Sequence, residues 1–402
     1  NGRGRSCRTD RRRQRVISVE LLRRSERSLR RFFMPMNIIF DAHQDLAYNI
    51  LSFGRDYSRS VYETRQLEAT HSTPGLTYQS LLGFPEYNRG KVALVFGTLF
   101  AGPARSEKEH YPNAQIYNSP EEANQVYWNQ LRLYHQLADE KPEVYRLITT
   151  KSLLNNHLNQ WKNQPLAPRP EEYLPLGIVP SMEGAEGIID LKELPEWWEN
   201  GLRSIGLAWA GNQFCGGTRE PGPLTPLGRD LLHEMAETGF ILDLSHMDEP
   251  AALECIQTYP GKIIASHSNV ASLVKGYFTN RLLSDQVVKE LLARGGLIGL
   301  VPLNAFLNWE WRADGGRAAV SLRLVAEQID HICQIAGNCD QVGIGSDFDG
   351  GVGLEHVPFE IDCVADLQKL APFLQELGYN EGDIKQIFAG NFLRVLESVL
   401  PE

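Results

Sequence analysis

Eight short apolar runs, separated by amphipathic or turn-rich sequence, constrain this 402-residue chain more than any other feature. The first four are 37–41, 92–99, 177–182 and 204–209. The second four are 240–244, 262–265, 297–301 and 342–345. Each is short and mostly apolar, the pattern of strands buried on both faces rather than strands with one wet face. Between them, 230–238, 284–294, 321–336 and 381–396 place apolar residues at helical spacing, and Ser284 is a good capping residue. Strand–helix alternation repeated eight times predicts an α/β fold, a (β/α)8 barrel. Segments 51–89 and 101–172 are longer than one crossover needs. They predict extra helices in the β1–β2 and β2–β3 connections, and a lid over the site.

Residues 1–35 read differently from the rest: Arg-rich, without Lys, and without the apolar stretch of a secretory signal. They are expected to be a basic, disordered extension, and 36–402 a single barrel domain. The net charge of -10 disfavours nucleic acid as a partner, because phosphate binding needs a basic surface. The six cysteines form no CxxC pair, which points to neither a disulfide framework nor a cysteine zinc site. A reduced, cytoplasmic setting is the expectation. No apolar run is long enough to span a bilayer, so no membrane partner is expected.

The chemistry gathers at the strand ends. Asp41-Ala42-His43-Gln44-Asp45 follows the first run, Glu183 the third, His246 the fifth, His267 the sixth and Asp347 the eighth. In a barrel these ends converge on the C-terminal face, where active sites are built. Imidazoles and carboxylates together suit zinc or a similar divalent ion. Each residue alone has a plainer reading: a hydrogen-bonded structural His, a Glu capping a turn, or loop acids such as Asp347 and Asp349 bonding their own backbone. Together they argue for a cation, because carboxylates and neutral imidazoles rarely share a barrel mouth unless one offsets their desolvation. No GxSxG elbow or Walker loop competes, and Cys215 has no evident base. His71, His110, His135, His157, His233, His331 and His356 are given no role.

With these residues assembled, the chain resembles the renal (membrane) dipeptidase family, zinc dipeptidases of the amidohydrolase superfamily. The likeness runs in order through Asp41–Asp45, Glu183-Gly184, Asp243–His246, Ser266–Ser268, Gly343–Gly350 and Gly390–Val395. It implies two divalent metals, zinc by expectation, one held by His43 and Asp45, the other by His246 and His267, with Glu183 bridging. Such a pair lowers the pKa of a shared water from ~15.7 toward ~7. The resemblance also implies Asp347 as general base and then acid, and Arg281 as the grip on a substrate carboxylate. Two departures stand out: Trp209 occupies the place of a substrate-facing His, and Leu282 follows Arg281 where the family has Asn. The mammalian disulfide and lipid anchor are not expected.

The sequence therefore predicts a metal-dependent dipeptidase acting on a small dipeptide, with a homodimer as an option. The alternatives are an amidohydrolase acting on another small amide or lactam, and a non-catalytic metal-dependent binding protein. A metal-dependent nuclease is disfavoured by the acidic body.

Overall fold

A computed structural model of the chain describes residues 36–106, 111 and 113–402. The expected basic extension at 1–35, and His110, lie outside the described residues. Eight parallel strands close on themselves: β1 (Ile39–Gln44), β2 (Val92–Phe100), β3 (Leu176–Glu183), β4 (Ser204–Gly206), β5 (Ile241–Asp243), β6 (Ile263–Ala265), β7 (Leu297–Leu300) and β8 (Val342–Ile344). Each pairs with its neighbour in chain order, and β2 meets β3 across a long insertion through the register Leu94↔Gly177 to Phe100↔Glu183. The ring closes where Asp41 of β1 pairs with Ile344 of β8. This is the (β/α)8 barrel that the eight apolar runs predicted.

A ninth short strand, Tyr145–Leu147, lies beside Leu176–Ile178 at the start of β3. It precedes β4 along that edge, because β4 pairs only with Ser181–Glu183. The long connections carry extra helices as expected. The first holds Leu46–Phe53, Val61–Glu68, Thr73–Thr77 and Phe84–Gly90, and the second holds Pro120–Glu140 and Lys151–Asn163. Several open on side-chain caps: Ser119 and Thr150 each accept the backbone N–H three residues on, satisfying a donor the helix cannot.

One apolar cluster fills the end of the barrel opposite the strand C-termini. Phe40, Leu94, Ile241, Ile264 and Leu297, all early in their strands, pack with Phe392, Val395 and Leu396 of the terminal helix Asn391–Val399. Phe40 lies 5.0 Å from Phe96 and 5.8 Å from Phe392 between ring centroids. Fully burying side chains of this size contributes roughly 1.5–3 kcal/mol each, so this end holds the barrel and leaves the other for chemistry.

Several elements depart from the expected bounds, three of them near the site or the terminal helix. The strand expected at 37–41 runs to Gln44, because Gln44 still pairs with Gly97 of β2. The strand expected at 204–209 stops at Gly206. Beyond it the carbonyl of Leu207 is taken by the Ala185 N–H and the Asn212 side chain, so Trp209 lies in a loop. The helix expected at 381–396 is interrupted by a wider π turn, Gln386–Gly390. Just after that turn, Asn391 donates to the carbonyls of Cys339 and Val342, fixing the terminal helix to the foot of β8. Among the described residues no helix is long and apolar enough to cross a membrane.

Candidate active site

The strand ends bring the expected residues into one buried cluster. His43, Asp45, Glu183, His246 and His267 are all buried, and Asp347 is partly so. Glu183 sits at the centre. One carboxylate oxygen, Oε2, lies 3.6 Å from His43 Nε2. The other, Oε1, lies 2.9 Å from His246 Nε2 and 3.2 Å from His267 Nε2. Asp45 and Asp347 flank His43 Nε2 at 3.7 and 3.8 Å. The His43 and His267 rings stack with centroids 3.7 Å apart.

Backbone geometry aims these groups. Asp347 and His246 adopt left-handed conformations, with φ of 58° and 68°, rare for residues with a side chain. Asp347 N–H donates to the His43 carbonyl, joining the ends of β8 and β1. Beneath them, Asp41 accepts from Ser346 and Gln44, and Asp243 from the backbone of Ser245 and Ser266. Gly350 closes against the carboxylates: a Cβ there would lie 2.3 Å from both Asp347 Oδ1 and Asp45 Oδ2.

The electrostatics follow from burial and crowding. Burial pushes His246 down to about 4, with Arg281 adding to the effect, and pushes His267 well below its usual range. For His43 burial acts downward too, but Glu183 and Asp45 outweigh it and hold the imidazole well above its ordinary value. Burial raises Asp45 and Asp347, and the neighbouring carboxylates add to it. Burial would also raise Glu183, yet His43 and His246 hold it well below the ordinary range. Three carboxyl groups thus share one cluster with two imidazoles held toward the neutral form and one, His43, held charged.

That set fits divalent cations. Three triads each converge on a common point: His43, Asp45 and Glu183; Glu183, His246 and His267; and His43, His267 and Asp347. His43 Nε2 and Asp45 Oδ1 are buried without a hydrogen-bond partner, a costly condition that a cation relieves.

A cleft of about 230 Å³ opens onto Asp45, Glu183, His246 and Asp347. Its far wall is aromatic. Trp209 lies 5.5 Å from Phe100 and 5.9 Å from His246, Phe100 lies 5.4 Å from Tyr48, and Phe53 stacks on Tyr111 at 5.0 Å. Tyr48, Phe53 and Tyr111 were not singled out from the sequence, because they come from long connections whose folding no periodicity reveals. Phe100, the last residue of β2, could have been found by the strand-end rule. Trp209 does face the cleft. Arg281 does not line it: its guanidinium is buried, donates to the His267 carbonyl at 2.8 Å and to Ser268 Oγ at 3.4 Å, and lies over Phe306. Asp349 takes no part in the cluster. Its carboxylate accepts from Tyr57, Ser80, the Leu81 N–H and Arg55, a structural role filled by a distant connection and not by its own backbone.

A 285-residue stretch is 30% identical to an uncharacterised protein encoded in the pqqA 5′ region of Klebsiella pneumoniae, covering 68% of this chain and 96% of that one. The dipeptidase aclJ of Aspergillus oryzae is 24% identical over 368 residues, 89% of this chain and 77% of its own. Among solved structures, a Rhodobacter sphaeroides metallopeptidase bound to a phosphinate mimic of L-Ala-D-Ala superposes with a TM-score of 0.69 at 22% identity, over 91% of this chain and all of that one. The membrane dipeptidase profile (peptidase family M19) matches residues 28–400. With nearly the whole chain matched and a metal-competent cluster at the mouth of its barrel, the protein is a metallo-dipeptidase and belongs to the membrane dipeptidase family.

Proposed function

We propose that the chain hydrolyses the peptide bond of dipeptides at a site for two divalent ions, zinc being the expected metal. One observation carries this reading: the two oxygens of Glu183 divide between His43 on one side and the His246–His267 pair on the other. His43 and Asp45 would hold one ion, His246 and His267 the second, and Glu183 both. Bound there, such ions supply Lewis acidity, which lowers the pKa of water and polarises a carbonyl.

The remaining steps belong to the protein. Asp347 lies against the cluster, its Oδ1 3.8 Å from His43 Nε2, where it would take a proton from the attacking water and deliver it to the leaving amine. The acidic residues of the cleft attract the dipeptide's ammonium group, and among the described residues no Lys or Arg lines it. The aromatic wall, Trp209 included, receives an apolar substrate side chain and excludes water. Arg281 is assigned the substrate carboxylate: its fork has five N–H donors, more than its two contacts use.

Arg281 also favours a second reading. A guanidinium tied to the His267 carbonyl, outside the cleft lining, fits a small amide or lactam without a free carboxylate equally well. The test is bound metal and hydrolysis measured together on purified protein. Two equivalents of zinc, with turnover abolished in Glu183→Ala and Asp347→Asn, are expected. Arg281→Ala raises KM for dipeptides on the first reading and leaves a neutral amide indifferent on the second. Protein that binds no divalent metal after reconstitution would overturn both.

A further inference from the structure

Two hydroxyls beside the proposed metal ligands each reach both an oxygen acceptor and an imidazole nitrogen. Ser266 Oγ donates to Asp243 Oδ2, and the same oxygen lies 2.8 Å from His267 Nδ1. Thr218 Oγ1 donates to the His246 carbonyl at 3.4 Å and lies 3.0 Å from His246 Nδ1. A hydroxyl has one proton, and neither a carbonyl nor a carboxylate oxygen has one to give back. With its proton directed to that oxygen, each hydroxyl accepts from its imidazole, the arrangement in which each Nδ1 carries the ring proton. The opposite nitrogens, His246 Nε2 and His267 Nε2, are then bare lone pairs. They face each other at 3.0 Å, and both face Glu183 Oε1.

From this we infer that Thr218 and Ser266 are positioning residues that lock the tautomers of His246 and His267 so that both Nε2 atoms point ready to receive a cation. The inference rests on the metal-site reading above and adds the residues that preset it. Three unprotonated acceptors within about 3 Å of one another repel unless a cation lies among them, and the two hydroxyls remove the alternative in which a ring proton would fill that role.

Thr218 matters most because it lies outside the barrel. It follows the strand Cys215–Gly217 of a hairpin completed by Glu220–Leu224. The hairpin is fastened to the loops after β5 and β6. The Asp248 N–H donates to Gly216, the Gly222 N–H to Asp248 Oδ2, and Asn280 Nδ2 to both Gly217 and Asp248. Thr218 thereby reaches both the ring and the carbonyl of His246, a residue whose left-handed backbone needs outside support. The sequence carries no signal for this contact, which joins positions 28 residues apart.

The test uses the full chain and zinc alone. Metal-free wild-type protein labelled with ¹⁵N-histidine should show His246 and His267 as Nδ1–H tautomers by NMR. In a chelator-competition titration, Thr218→Val should weaken the second zinc equivalent by roughly 10–100-fold, the usual loss for an outer-shell partner. Thr218→Ser, which keeps the hydroxyl, should stay within about threefold of wild type, and the first equivalent should not move. An Nε2–H tautomer in the wild type, or a Thr218→Val protein binding both equivalents normally, would overturn the inference. If Thr218→Val does not fold, the wild-type tautomers and Thr218→Ser still decide it. Failure of wild type to bind zinc would instead remove the two-metal reading, while the tautomer measurement would judge the hydroxyls independently.

Discussion

Gly350→Ala and Gly351→Ala differ by one position and should fail in opposite ways. At Gly350 an added Cβ meets Asp347 Oδ1 and Asp45 Oδ2, each at 2.3 Å. A comfortable carbon–oxygen approach is about 3.3 Å, so the two carboxylates must back away by roughly 1 Å. A catalytic group misplaced by that much costs about a hundredfold in rate, or roughly 2.7 kcal/mol of transition-state stabilisation. Because Asp45 is also an expected ligand, zinc affinity should fall with it. The backbone at Gly350 does not require glycine, so the folded state should lose little. At Gly351 the reverse holds: φ is +78° and nothing lies within 4 Å of the new methyl. The cost there is backbone strain, roughly 1–2 kcal/mol, with the carboxylates left in place. Thermal unfolding, zinc titration and dipeptide turnover on both variants separate the two. Equal loss of activity in the two proteins would refute the steric argument, as would a Gly350→Ala enzyme retaining metal and most of its rate.

Three further outcomes are expected. Burial pushes His157 down to about 4 from 6.5, where it donates to the Ala93 carbonyl as a neutral ring. Its contribution is therefore full above about pH 6.5 and lost as pH falls toward 4, at most about 3 kcal/mol in all. Denaturant unfolding of His157→Gln should show that much less loss between pH 7.5 and 4.5, and an unchanged acid slope would count against it. Asp349→Ala should destabilise the fold by roughly 3–5 kcal/mol, because it leaves the buried Arg55 guanidinium without one of its carboxylates. A shift of midpoint below 1 kcal/mol would show that Glu68 alone suffices for Arg55. Trp209→Ala should lower kcat/KM for a dipeptide bearing a large apolar side chain by about three- to tenfold more than for Ala-Ala, the worth of one aromatic contact. Equal losses on the two substrates would place the apolar side chain elsewhere.

Much of this architecture was legible because two signals reinforced one another. Apolar runs such as 92–99 and 297–301 mark strands buried on both faces, and a barrel sends all their C-terminal ends to one side. Polar residues immediately after those runs, Glu183 and His267 among them, then had to meet. What stayed hidden depends on contacts between connections. Tyr48, Phe53 and Tyr111 build the cleft wall from segments whose path no periodicity fixes. The π turn at Gln386–Gly390 follows the helical pattern residue by residue and shows itself only through the inward bonds of Asn391. Arg281 was given its carboxylate-clamp role only by the family resemblance, and its bond to the His267 carbonyl could not be foreseen from spacing.

The strained residues explain why the site needs so much surrounding structure. His246, Asp347 and Asp349 all hold positive φ, at 68°, 58° and 65°. For residues with a Cβ this costs roughly 1–2 kcal/mol each, and it persists only where neighbours over-determine it. At Asp349 the neighbours are the four donors on its carboxylate, drawn from Tyr57, Ser80, Leu81 and Arg55. All four lie in the long β1–β2 connection. At His246 the support is Thr218, from the hairpin after β4. The barrel thus supplies the strand ends, but the segments inserted between its strands hold those ends in the conformations that aim the side chains. For that reason the insertions, which look like elaborations on the fold, are as necessary to the proposed chemistry as the ligands themselves.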